Sequence, residues 1–103
     1  MAQGHSDTDI PKWDIALANL AREEYEKQQR PLALADFTRL AGQYSIRLDD
    51  IMATMFELVL HQHWHYEGPQ TITRDAYNEL YVGGRLHAKD LETFIGQWRP
   101  SQT

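Results

Sequence analysis

The stretch DDIMATMFELVLH, residues 49–61, constrains the fold more than any other part of the chain. At about 100° per residue, Leu48, Ile51, Met52, Met55, Phe56, Leu58 and Val59 fill one broad sector. The opposite sector carries Asp49, Asp50, Ala53, Thr54, Glu57 and His61. This split predicts an amphipathic helix buried along one side, with two aspartates at the positive end of its dipole.

The flanking segments extend the pattern. IPKWDIALANLAREEYEKQQ reads as a first helix, with Asp9 as N-cap and Pro11 in the first turn. Trp13, Leu17, Leu20 and Tyr25 mark its apolar side, while Glu23, Glu24, Glu26, Lys27 and Arg30 mark the other. LALADFTRLAGQY reads as a second helix presenting Leu34, Phe37, Leu40, Ala41 and Tyr44. After residue 61, the alternation in HWHYE, the turn signal Gly68-Pro69 and TIT predict a β-hairpin. RDAYNELYV is expected as a fourth helix that Gly83-Gly84 stops, and HAKDLETFIGQW as a last helix burying Leu91, Phe94, Ile95 and Trp98. The chain is expected to be mainly α with a small β-hairpin, organised as a disordered tail over 1–8 and a single domain over 9–100.

Residues 37–56, FTRLAGQYSIRLDDIMATMF, resemble the helix-turn-helix pattern of the winged-helix superfamily. Ala41 stands where that family packs a small residue between its two helices, and Tyr44, Ile46 and Ile51 fill its apolar positions. Ser45 replaces the glycine preferred at the turn, where a positive φ is often required. The resemblance implies a winged-helix-like topology over residues 10–73, with the hairpin as wing, followed by two C-terminal helices. It also implies that residues 48–61 are the helix that DNA-binding members insert into the major groove.

Charge argues against that use here. The chain has 15 acidic and 10 basic residues, a net charge of −5, the wrong sign for binding that rests on neutralising phosphates. The outward sector of residues 48–61 offers Asp49, Asp50 and Glu57 and no lysine or arginine, so base edges find no cation to read them. Asp49, Asp50, Ala53, Thr54, Glu57 and His61 are therefore read as a docking surface for a basic protein partner or for self-association. The alternative is a DNA-binding regulator that uses Lys12, Arg22, Arg39, Arg47 and Arg74, away from the acidic helix.

HQHWHYEG raises a third reading, zinc held by His63, His65 and Glu67 on one strand face, with His5 or His87 approaching from elsewhere. The simpler account turns Trp64 and Tyr66 inward and leaves His63, His65 and Glu67 facing water. His61 belongs to the preceding helix end. There is no cysteine, which excludes disulfides and thiolate metal ligands. No nucleophile–base–acid set is legible, so a non-enzymatic protein without a cofactor is expected. Neither a signal peptide nor an apolar run of about 18 residues is present, and a cytoplasmic, bacterial protein without membrane association is the expectation.

Overall fold

A computed structural model of the protein describes residues 13–101. Five helices and two strands run in the order α1 (Ile15–Gln28), α2 (Leu34–Tyr44), α3 (Leu48–Leu60), β1 (Trp64–Glu67), α4 (Arg74–Leu80), α5 (Ala88–Leu91) and β2 (Gln97–Pro100). None of the helices is long and apolar enough to cross a membrane. The chain is mainly helical, with one two-stranded antiparallel sheet.

α3 is the central element, with α1, α2 and β1 packed on it. Ile51, Met52, Met55, Phe56 and Leu58 are buried, so the sector read from the sequence is the one that faces the core. Phe37, Leu40 and Ala41 cover it from α2. Ser45 ends α2 in the left-handed region at φ 56°, and the Ile46 N–H reaches back to the Ala41 carbonyl at 2.9 Å. A positive φ at this turn is thus held by an L residue and not by a glycine. Tyr44, expected on the buried side, is exposed.

α1 begins at Ile15, where the Asp14 carboxylate accepts the Leu17 N–H at 3.1 Å. The expected cap Asp9 and Pro11 lie outside the described residues, as do residues 1–8. Glu24, placed by periodicity on the solvent side, is buried. It accepts hydrogen bonds from Gln28 at 2.6 Å and from Arg39 of α2 at 2.5 Å. A charged partner from another helix makes that burial tolerable, and periodicity carries no trace of such a partner.

The strand pairing differs most from expectation. Residues 71–73 form no strand; β1 pairs instead with the chain end, in the register Trp64↔Pro100, His65↔Arg99, Tyr66↔Trp98 and Glu67↔Gln97. The expected last helix is a single turn, Ala88–Leu91. Leu91, Phe94 and Trp98 are buried as anticipated, whereas Ile95 is 71% exposed. Those three spacings suit a helix, but they are met here by one helical turn followed by extended chain. Gly96 makes the change of direction possible, because a Cβ there would collide with the Glu67 carbonyl. Trp98, fully buried, sits among Phe37, Phe56 and Tyr66, and its backbone exchanges two 2.8 Å hydrogen bonds with Leu32. Seating Trp98 outweighs the marginal gain of about two further turns of isolated helix.

Candidate functional site: the outward side of the central helix

The residues read as a docking surface separate into two groups. Asp50 and His61 are exposed, and Ala53 and Glu57 are half-buried, while Asp49 and Thr54 are buried. The Thr54 hydroxyl donates to the Asp50 carbonyl at 3.1 Å. Asp49 is gripped from two directions. Arg47 approaches its carboxylate at 3.1 and 2.9 Å, and the Arg85 Nε at 2.7 Å. The Arg47 guanidinium, seconded by Arg85, holds this carboxyl far below the usual range.

Arg85 belonged to no site predicted from the sequence. It arrives through the turn at Gly83 and Gly84, whose φ values of 63° and 74° are positive in succession. Val82 and Arg85 exchange hydrogen bonds at 3.1 Å across the turn. Two consecutive left-handed residues define the tight reversal that a Gly-Gly pair specifies. The pair was read as a helix stop; α4 in fact ends at Leu80, and the glycines turn the chain back onto α3.

The surface is accordingly not free of cations. Arg74 forms a two-pronged pair with Glu57, at 3.1 Å on each oxygen, and its guanidinium lies 5.9 Å from the centre of the Tyr77 ring. His61 Nε2 stands 3.5 Å from Oε1 of the same carboxylate, an oxygen that Arg74 also contacts. Three of the residues, Ala53, Thr54 and Glu57, line an open cleft of about 420 Å³ together with Trp13, Asp14, Tyr77 and Tyr81. Tyr77 and Tyr81 stack at 5.4 Å between centroids. Burial, with help from Glu57, pushes the Tyr77 hydroxyl up to about 12, so it stays protonated at any physiological pH. The cleft thus combines aromatic walls with two carboxylates, Asp14 and Glu57. Trp13, Tyr77 and Tyr81 are not among the residues that the sequence offers for this surface.

The described members of the basic set are each paired with a carboxylate of the chain. Lys12 lies outside the described residues. Arg22 pairs with Glu26 at 3.4 Å, Arg39 with Glu24 and Asp36, Arg47 with Asp49, and Arg74 with Glu57. Arg30 completes the network on α2, reaching Asp36 at 2.9 and 3.0 Å.

The described histidines do not form one ligand set. β1 starts at Trp64, so His63 precedes the strand, and its ring packs 4.9 Å from Trp13. The same indole meets His61 at 5.4 Å. His65 is exposed on the strand, and Glu67 is taken by Arg99 at 2.7 Å. His5 is outside the described residues, and His87 precedes α5. Among the described residues, no group of three or more His, Asp or Glu side chains converges as metal ligands would. Trp64 and Tyr66 turn inward as expected, Trp64 buried and Tyr66 half-buried against Trp98 at 4.6 Å. No family model, curated protein or solved structure matches the chain.

Proposed function

We propose that the protein is a small non-enzymatic interaction module that docks a partner protein on the outward side of α3. The observation that carries this reading is the open cleft of about 420 Å³, walled by Trp13, Tyr77 and Tyr81 and rimmed by Asp14 and Glu57. Aromatic faces beside the Asp14 carboxylate attract a lysine or arginine side chain, through ring quadrupoles as well as charge, while Glu57 on the same rim is already paired with Arg74. The cleft lies where a winged-helix protein would present its second motif helix, and the α2–turn–α3 arrangement with its left-handed Ser45 supports that likeness. The wing of this reading takes its second strand from the chain end, not from a hairpin. A cytoplasmic setting without cofactor belongs to the same reading.

The DNA-binding alternative has less support, because Arg22, Arg39, Arg47 and Arg74 already neutralise carboxylates of the chain itself. Affinity capture from the native host with wild type, Tyr81→Ala and Asp50→Lys tests the proposal. One partner lost from both variants, each still folded by circular dichroism, is the expected outcome. Partners retained by both would place docking elsewhere. A gel shift that weakens steeply with salt would favour DNA instead.

A further inference from the structure

We infer that the free edge of β1 binds an extended basic peptide as an added strand. Trp98 directs its N–H and C=O to Leu32, at 2.8 Å each, and therefore away from β1. Its partner Tyr66 must then be a pair that exchanges no hydrogen bonds across the sheet. By the same alternation, His65↔Arg99 and Glu67↔Gln97 carry the ladder, and the Ser101 N–H extends it to the His63 carbonyl at 2.9 Å. The N–H and C=O groups of Trp64 and Tyr66 consequently point to the opposite edge. Among the described residues they have no hydrogen-bond partner there.

That edge opens into a groove of about 530 Å³, separate from the cleft on α3. Val59 and Ile72 give it an apolar lining, and residues 70–72 line it together with β1 without pairing to it. Four backbone groups repeating every second residue are matched only by another extended backbone, whose alternate side chains can reach Val59 and Ile72. The occupant is a single strand and not a second copy, because a second β1 would carry its own residues 70–72 along its outer side. The net charge of −5 and the exposed Glu67 carboxylate favour a basic peptide. Glu67 is the one charged residue lining the groove among those described, and its side chain is 62% exposed despite its pair with Arg99. A lysine beside Glu67 on the added strand makes a favourable cross-strand pair. This inference stands independently of the α3 cleft.

The test uses a capped six-residue peptide of alternating valine and lysine, titrated into isotopically labelled protein and followed by NMR. The Trp64 and Tyr66 amide signals should shift and their hydrogen exchange should slow. A twin peptide, N-methylated at every second backbone nitrogen, should bind about tenfold more weakly, having lost its donors to the edge. Glu67→Lys should weaken the lysine peptide several-fold and favour a valine–glutamate peptide instead. Unmoved Trp64 and Tyr66 amides, or equal binding of the N-methylated twin, would overturn the strand-addition site. Equal binding of the lysine peptide by Glu67→Lys would overturn the basic specificity. Amide protection that grows with protein concentration alone would replace the peptide by a second copy.

Discussion

The Arg85 Nε donates to Asp49 Oδ2 at 2.7 Å, tying the Gly83–Gly84 turn to the first turn of α3 across 36 residues of chain. Asp49→Asn removes the charge that both Arg47 and Arg85 address, and should lower stability by about 1–2 kcal/mol, tempered by the exposure of the two arginines. Gly84→Val, which forces a branched residue to φ 74°, should also destabilise by about 1–2 kcal/mol. Because both changes dismantle the same clamp, the double variant should lose less than the sum, by at least about 0.5 kcal/mol. Strict additivity in urea denaturation would mean that the turn and α3 are energetically independent.

Acid should weaken the fold. Burial pushes Glu24 upward, but the Gln28 and Arg39 hydrogen bonds pull it below its ordinary value. Arg30 lowers Asp36, and Arg47 lowers Asp49 further still. Each group therefore binds its proton less readily folded than unfolded. Their stabilisation is complete above the ordinary carboxylate range, about pH 5, and is lost as pH falls through the depressed folded values. The urea midpoint should drop between pH 6 and pH 3, and the triple variant Glu24→Gln, Asp36→Asn, Asp49→Asn should show a flatter acid limb. An identical acid limb in wild type and triple variant would contradict the assignment.

Ser45 holds a left-handed conformation that an L residue adopts at a cost, so Ser45→Gly should raise stability by about 0.5–1 kcal/mol. Ser45→Val should lower it. The comparison is a pair of thermal melts, and a destabilised glycine variant would show that the turn gains more from the serine side chain than from relief of strain.

Trp98→Ala should cost about 3–5 kcal/mol, a large part of the stability of a domain this size, because the indole is fully enclosed. Ile95→Ala, a change of similar hydrophobic character three residues earlier, should cost under about 0.5 kcal/mol. Similar losses at both positions would restore the helical reading of residues 87–98, in which both side chains are buried.

Zinc should leave the melting temperature unchanged, and so should a chelator. His63 lies against Trp13, Glu67 is held by Arg99, and His65 has neither as a converging ligand. A midpoint raised by zinc would revive the histidine site, since an ion bound only by the folded form stabilises by mass action.

Much of this architecture is written locally. The apolar sector of α3, the α2–turn–α3 arrangement and the inward pair Trp64 and Tyr66 follow from residues within a few turns of one another. Periodicity also identified Leu91, Phe94 and Trp98 as core, but it could not tell one helical turn plus a strand from a helix, because both bury that spacing. Glu24 misled for the opposite reason, since its partner Arg39 lies 15 residues away on another helix.

The candidate site was legible in outline and wrong in charge. Asp50, Ala53, Glu57 and His61 do lie on or beside the outward side of α3, yet Arg74 and Arg85 neutralise the carboxylates that seemed unopposed. The sequence by itself determined the helices that bury a continuous apolar side, because burial of such a side depends on spacing along one segment. Only the tertiary structure decided which strand pairs with β1 and which arginine meets which aspartate. Those choices belong to backbone hydrogen bonds and charges from distant segments, and no local period encodes them.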